Sequence, residues 1–371
     1  MKDAALAPLN LVYGDDAHGI FLYQGDCLEV LDAIYAKHGD DGCFDMIFAD
    51  PPYFLSNGGI TCHAGRMVKV DKGDWDRSRG PELNHEFNTE WLRRCQRVLK
   101  PNGTIWVTGT HHVIFSVGYA MQQLGFKILN DIAWEKPNPP PNLSCRYFTH
   151  STETVLWAAK TEKSRHLFNY NLMRQLNKGK QMKTVWIMTS PKNGEKAFGK
   201  HPTQKPVALV ERCLLAATNE GDRVLDPFMG GGTTAVACIR LHRFFVGVEL
   251  NLTYLLTASK RANREIIEVW LREFCVRVEV AVYNQNDLDL SVSLIDRSAP
   301  MSDKPEIQAE RIFHETKFVF LSCAQVRAGS VVHTTVDSDI QSAWSHTPQS
   351  AKLITTHVVR CETEILRVKS S

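Results

Sequence analysis

What this chain of 371 residues lacks narrows its class before any motif is read. No apolar run approaches the roughly 20 residues that a membrane-spanning helix needs. The start, Met1-Lys2-Asp3-Ala4, carries no secretory hydrophobic core. Export and membrane insertion are therefore not expected, and a cytoplasmic protein is. Ten cysteines are present, but none forms a C-x-x-C pair and none has Cys/His spacing suited to zinc, so no metal is expected. Cys27, Cys43, Cys213 and Cys238 sit beside apolar residues, as reduced core thiols do. An excess of one charge is missing too. With 43 Lys and Arg against 41 Asp and Glu, the net charge is +2, so any nucleic-acid surface must come from local clustering. The G-x-G-x-x-G spacing of a dinucleotide site is also absent, which makes a nicotinamide cofactor a poor fit.

What is present is an alternation of strands and helices in a composition 43% hydrophobic and 23% charged. Residues 20–24 read as a strand, Gly25-Asp26-Cys27 as a turn and 28–36 as a helix, with Asp26 at the N-cap position. The apolar run 44–49 ends abruptly at Asp50-Pro51-Pro52-Tyr53. Two prolines leave no backbone N–H, so the chain turns out of the sheet with bare carbonyls beside a carboxylate and an aromatic ring. In an open α/β sheet, ligands bind at such carboxyl ends of strands. The corner can grip a planar amine, although a simple strand-ending turn fits the four residues equally well. A long polar loop over 54–84 then predicts a lid or binding loop. A helix is expected at 87–98, a turn at 100–103, a strand at 104–108, a helix at 114–124, and strands at 128–134 and 154–158. The alternation argues for a doubly wound, mostly parallel sheet.

Between Trp134 and Gly199 the character changes. Lys136, Arg146, Arg174, Lys178, Lys180 and Lys183 belong to a run of basic residues interleaved with Tyr147, Phe148, Phe168, Tyr170 and Trp186. That mixture suits phosphate contact and base stacking, and a solvated basic face on an insertion suits it as well. A helix is expected at 207–218 and a strand at 223–225, running into Asp226-Pro227-Phe228-Met229-Gly230-Gly231-Gly232 and a helix to 240. The next strand, 244–249, ends in Glu249, about 20 residues after the glycines. This is the layout of a nucleotide-type α/β site, in which the acid bonds ribose hydroxyls. Asp226 would repel a pyrophosphate and would suit a ligand that carries positive charge. A long helix follows at 253–271, and beyond about 277 the text is rich in Ser, Thr and Val, fitting short strands or an unstructured tail.

Asp-Pro-Pro-Tyr at 50–53, His-x-Thr-Gln-Lys-Pro at 201–206 and Asp-Pro-Phe-x-Gly-x-Gly at 226–232 together resemble S-adenosylmethionine-dependent amino-methyltransferases of DNA. The motif order, target motif first and a basic segment before the cofactor glycines, is similar to that of the β class of adenine-N6 methylases. The likeness spans roughly 20–270. Residues 48–60, 70–76 and 142–157 bring it nearer the DpnA-type methylases, which modify adenine in GATC and accept single-stranded DNA. The resemblance implies a Rossmann-like methyltransferase fold with permuted motif order. It implies a catalytic half at 18–135, a target-recognition segment at 136–200, a cofactor half at 201–275 and a tail of unassigned role at 276–371.

For the site, the resemblance implies that Asp50 and the Pro51 carbonyl accept the hydrogens of the adenine amine, with Pro52 fixing the turn and Tyr53 stacking on the base. It implies S-adenosylmethionine as cofactor, with Phe228, Gly230 and Gly232 shaping its pocket and Asp226 near the charged methionine end. Glu249 would hold the ribose, and Asp26 and Cys27 would face the adenine of the cofactor. His201, Thr203 and Lys205 would lie at the methionine carboxylate. DNA, double-stranded and also single-stranded, is the expected partner; a second copy of the chain and a restriction endonuclease for the same sequence are further candidates. Cytosine-N4 methylation, in which Ser more often stands at position 50, is the nearest alternative. Methylation of a protein or RNA amide, more usual with Asn there, and a non-catalytic DNA-binding protein are others.

Overall fold

The computed structural model describes residues 9–56, 60–63, 66–69, 73–199 and 201–273, and the C-terminal strands given below. The chain divides into two compact units, Met1–Ala262 and Asn263–Ser371.

In the first unit the elements run β1 (Asn10–Asp15), β2 (Ile20–Gln24), α1 (Cys27–His38), β3 (Phe44–Ala49), β4 (Ile60–His63), β5 (Arg66–Lys69), α2 (Pro81–Val98), β6 (Leu99–Gly109) and α3 (Ile114–Gln123). They continue as β7 (Lys127–Glu135), β8 (Thr152–Ala159), α4 (Tyr170–Leu176), β9 (Val185–Ile187), α5 (Val207–Ala217), β10 (Arg223–Asp226), α6 (Thr233–Arg240) and β11 (Phe244–Glu249). Helix α7 (Leu252–Glu273) starts here and crosses the boundary into the second unit. Nine strands form one sheet in the order β1-β2-β11-β10-β3-β6-β8-β7-β9. Seven run one way, and β1 and β8 run against them. The doubly wound, mostly parallel sheet is therefore present.

Strand β3 is the pivot. Its residues are almost all buried because the sheet is covered on both faces. Ile47 and Ala49 join the apolar cluster formed with α1, α2 and α3, whereas Met46 and Phe48 are buried outside that cluster. From β3 the chain winds outward through β6, β7, β8 and β9. It then returns to lay β10 against the other side of β3, with Leu225 opposite Ile47. That reversal makes the β3/β10 seam the topological switch point, where a crevice opens at the carboxyl ends of the strands.

Three local expectations need correction. The loop expected at 54–84 contains the β4–β5 hairpin, and α2 begins at Pro81, six residues before the expected start. Proline at the first helical position is favourable, but the polar first turn hides the helix from a periodicity reading. The turn expected at 100–103 lies inside β6. Leu99 pairs with Phe44 and Thr104 with Met46, so these four residues bulge out of a strand that continues on either side. Strand β8 lies antiparallel between β6 and β7. The second unit has β12 (Val276–Tyr283), β13 (Asp289–Asp296) and β16 (Val332–Thr335) in an antiparallel sheet, and β14 (Gln308–His314) paired with β15 (Phe318–Ala324). Among the described residues the tail thus holds short strands.

Candidate active site

Four neighbouring parallel strands, β2, β11, β10 and β3, each deliver an acid at or just past the carboxyl end: Asp26, Glu249, Asp226 and Asp50. At about 4.8 Å between strands, the row spans roughly 14 Å. A cleft opens over its β10–β3 end, lined by Asp50, Lys205, Asp226, Phe228 and Gly230 among others.

At the β3 end, Asp50 is locked from both sides. Its Oδ1 accepts from Thr108 Oγ1 at 2.6 Å and from the Tyr53 hydroxyl at 2.8 Å. Its Oδ2 accepts from Lys205 Nζ at 2.6 Å. Lys205 is only 5% exposed. Burial alone would lower its pKa, but the carboxylates of Asp50 and Glu153 hold it above the usual lysine range. The same ammonium lies 3.6 Å from Glu153 Oε2 and also donates to the Thr203 carbonyl at 3.1 Å. Glu153, at the start of β8, receives the Tyr53 hydroxyl at 3.2 Å and is ion-paired with Lys136. Burial would raise the pKa of Glu153, yet the two ammonium groups keep it below the usual range.

The turn after the prolines is held by a residue far along the chain. Asp76, fully buried, accepts from Tyr53 N at 2.9 Å, Leu55 N at 3.1 Å and Ser56 Oγ at 2.9 Å. Between these bonds Phe54 takes a left-handed φ of 57°, a strained conformation that such surrounding bonds can maintain.

At the β10 end, Asp226 is buried and its two partners are uncharged: Thr234 Oγ1 donates to Oδ2 at 2.5 Å and Phe228 N to Oδ1 at 3.0 Å. Burial pushes its pKa up to about 7. Gly230 has φ 54° and donates its N–H to Glu249 Oε2 at 2.9 Å, which ties the glycine turn to the end of β11. Glu249 Oε1 accepts from Asn251 N at 2.7 Å, and burial raises the pKa of Glu249. Gly25 N donates to the Glu249 carbonyl at 3.2 Å, which sets Asp26 beside this strand end.

The structure thus brings Asp50, Tyr53, Lys205, Asp226, Phe228, Gly230, Glu249 and Asp26 to one edge of the sheet. Tyr53 was expected to stack on a base. The residue is 4% exposed and its hydroxyl donates to Asp50 Oδ1. Lys205 was expected at a methionine carboxylate, but its charge is engaged by Asp50. Asp26 caps α1 by accepting from Leu28 N at 2.8 Å, and the thiol of Cys27 is turned into the apolar cluster. His201 braces the glycine turn. Its ring stacks on Trp75, meets Tyr254 edge-on and bonds Thr203. A Cβ on Gly232 would lie 2.6 Å from Ala258 Cβ, so this glycine admits α7 against α6 rather than shaping the cleft.

Of the basic residues, Lys136 is drawn inward to Glu153 and the Trp134 ring. Arg174 bonds the Gly179 carbonyl and lies over Tyr170. Arg146, Lys178, Lys180 and Lys183 are exposed. Arg146 sits beside Tyr147 and Phe148, the latter 96% exposed, in the turn over residues 142–147 and just beyond it. Sequence reasoning missed Glu153, Asp76 and Thr108. An acid opening an otherwise apolar strand was the available signal for Glu153.

Similarity to known proteins agrees with this geometry. A family model described as a DNA methylase, of the N6/N4 type, matches residues 44–260. The Type II methyltransferase M2.DpnII of Streptococcus pneumoniae is 60% identical over 222 residues, 60% of this chain and 83% of that protein. The Type II methyltransferase M2.MboI of Moraxella bovis is 47% identical over 262 residues, 71% of this chain and 94% of that protein. Among solved structures, an M1.HpyAVI–SAM complex matches with a TM-score of 0.51 at 31% identity, over 66% of this chain and 99% of that one. The cytosine-N4-specific PvuII DNA methyltransferase matches with a TM-score of 0.52 at 18% identity, over 68% and 92%, a likeness of fold.

Proposed function

The chain belongs to the N6/N4 DNA methylase family, and from that premise we propose that it methylates the N6 amine of adenine within GATC, in duplex and in single-stranded DNA. It is a DNA methyltransferase, and S-adenosylmethionine is its methyl donor. The adenine reading rests on the likeness to the β class of adenine-N6 methylases and on Asp at position 50, where Ser is more usual in cytosine-N4 methylases. The GATC reading rests on the likeness of residues 48–60, 70–76 and 142–157 to the DpnA-type methylases.

The cleft suits the cofactor chemically. Acids dominate its edge, its lysine is already paired, and the buried Asp226 has no cationic partner among its hydrogen bonds. A sulfonium ligand supplies the missing charge, and a pyrophosphate is repelled. Phe228 and Gly230 would hold the cofactor from the glycine turn, Glu249 and Asp26 from the neighbouring strand ends. When bound, the cofactor supplies a methyl group on a cationic sulfur, which is an excellent leaving group.

The protein's own task is positioning, a contribution that can reach about 7–11 kcal/mol. The target adenine leaves the base stack, or is unpaired already. Asp50 accepts one N6 hydrogen and the Pro51 carbonyl the other, restoring electron density to a nitrogen otherwise delocalised into the ring. Thr108 and Tyr53 fix the carboxylate while it does so. Asp50 need not be a strong base beforehand, because the amine becomes acidic only after it is methylated.

Residues 136–200 carry target recognition in this reading, flanked by the catalytic half at 18–135 and the cofactor half at 201–275. Arg146, with the exposed rings of Tyr147 and Phe148, meets the DNA. Arg146→Ala should cost about 1–3 kcal/mol on the preferred sequence and relax sequence choice, as competition binding would read; Lys180→Ala should weaken all sequences alike. A restriction endonuclease for the same sequence and a second copy of the chain are the proposed protein partners, in the cytoplasm. Among the described residues no helix is long and apolar enough to cross a membrane.

Mass analysis of nucleosides after incubation with S-adenosylmethionine and a GATC duplex tests the reading. N6-methyladenine is the expected product. N4-methylcytosine would replace the adenine assignment with its nearest alternative.

A further inference from the structure

Two partly buried carboxylates, 14% and 11% exposed, face one buried ammonium beside the cleft. Lys205 Nζ lies 2.6 Å from Asp50 Oδ2 and 3.6 Å from Glu153 Oε2. Asp50 Oδ1 is already taken by Thr108 Oγ1 and the Tyr53 hydroxyl. A target amine can therefore gain full use of Asp50 only at Oδ2, where Lys205 stands. With Lys205 at 5% exposure, water cannot take over the displaced charge. Leaving a buried charge unpaired is costly enough that proteins avoid it. Among the described residues, Glu153 is the other carboxylate within reach of this ammonium.

We propose that Glu153 is a second seat for the Lys205 ammonium. When the target amine enters, Lys205 passes from Asp50 Oδ2 to Glu153 Oε2, and Glu153 thereby acts as a positioning residue for methyl transfer. The shift is about an ångström on the distances above, and it keeps Lys205 on a carboxylate and the cluster neutral overall. Asp50, Glu153, Lys205 and Lys136 form two anions and two cations in both arrangements. Lys136 holds Glu153 by its other oxygen, Oε1, so the receiving oxygen stays in place. The Tyr53 hydroxyl touches both acids, at 2.8 Å and 3.2 Å, and keeps Asp50 oriented while Oδ2 is vacated. After transfer the N6–H bond breaks, and its proton can pass to that vacated Oδ2, leaving the electron pair on the methylated nitrogen. As product leaves and the cleft refills with water, Oδ2 releases that proton to water and Lys205 returns.

The inference rests on the proposed role of Asp50 as the amine acceptor, and a double-mutant cycle tests it separately. Single-turnover rates and cofactor binding are measured for the full chain, for Glu153→Gln, for Lys205→Met and for both together. Glu153→Gln preserves shape and still accepts from Tyr53, but cannot neutralise Lys205. It should slow methyl transfer about tenfold or more while leaving cofactor affinity and the DNA KM nearly unchanged. In the Lys205→Met background, which needs no second seat, the same change should have little further effect. Glu153→Asp retains the charge and should recover much of the rate, and it replaces Glu153→Gln in the cycle if the amide variant does not fold. Equal slowing with and without Lys205 would overturn the second seat. Full activity of Asp50→Ala would instead overturn the parent reading.

Discussion

Two corners of this molecule are written alike and behave oppositely. Both are Asp-Pro followed within two residues by an aromatic, and both end adjacent strands, β3 and β10. In each, a threonine hydroxyl donates to the aspartate, Thr108 to Asp50 at 2.6 Å and Thr234 to Asp226 at 2.5 Å. The difference is the cation. Asp50 has Lys205 against it, whereas Asp226 is bonded by a hydroxyl and a backbone N–H, and burial lifts its pKa to about 7. One acid is neutralised by the protein, and in the proposed mechanism it exchanges that partner for an amine. The other has no cation among its hydrogen-bond partners, and in the same proposal a sulfonium supplies that charge.

Removing either acid should break the comparison in opposite directions. Asp50→Ala should cut turnover by about 10²–10³-fold or more while cofactor binding by calorimetry stays intact. Near-normal turnover with binding preserved would remove Asp50 from the mechanism. Asp226→Asn should do the reverse, weakening cofactor binding by about tenfold or more, the scale of one lost charge interaction.

The second acid also carries a pH signature. The pKa of Asp226 is raised on folding from 3.8 to about 7, so its contribution favours the fold at low pH and is lost as pH climbs towards and through 7. Without cofactor, Asp226→Asn should therefore raise Tm relative to the parent at pH 8 and show little difference near pH 4. A cationic ligand prefers the ionised acid, so cofactor affinity of the parent chain should rise between pH 6 and 8. A flat profile would mean that Asp226 does not face the charge. The smallest effects come from the hydroxyls. Thr108→Val should lower kcat and Thr234→Val should weaken the cofactor, each by about 0.5–1 kcal/mol. Crossed effects would show that the two corners share their work.

Both corners were legible in the sequence because each follows a short apolar run, and an acid just past a buried strand has few places to go. The same logic placed Glu249 and Asp26. What stayed hidden depends on distance along the chain or on strand direction. Tyr53 meets Glu153 across 100 positions and Asp76 across 23, and no local pattern announces either bond. Strand β8 reads like its neighbours because periodicity does not encode direction. Tyr53 looked like a stacking surface because an aromatic beside a polar corner usually is one, whereas it is buried as part of the apolar cluster that includes α1, α2 and α3. The basic segment was counted correctly, but Lys136 shows that a residue's sign does not say which way it faces.

The seam between β3 and β10 has a consequence for how the molecule comes into being. Asp45 accepts the backbone N–H of Arg223 across 178 positions, so the two corners meet only after the whole outer half of the sheet has been built and the chain has doubled back. Loop closure on that scale makes for slow, late-forming contacts. A chain still short of β10 lacks the switch-point crevice and Asp226, and partial synthesis therefore yields no partial enzyme. Ligand bound across the seam stabilises only the closed form, by RT ln(1 + [L]/Kd). Methyl donor in solution should thus speed the recovery of native molecules from the unfolded pool only if its binding precedes the last closure, and otherwise should simply slow their loss.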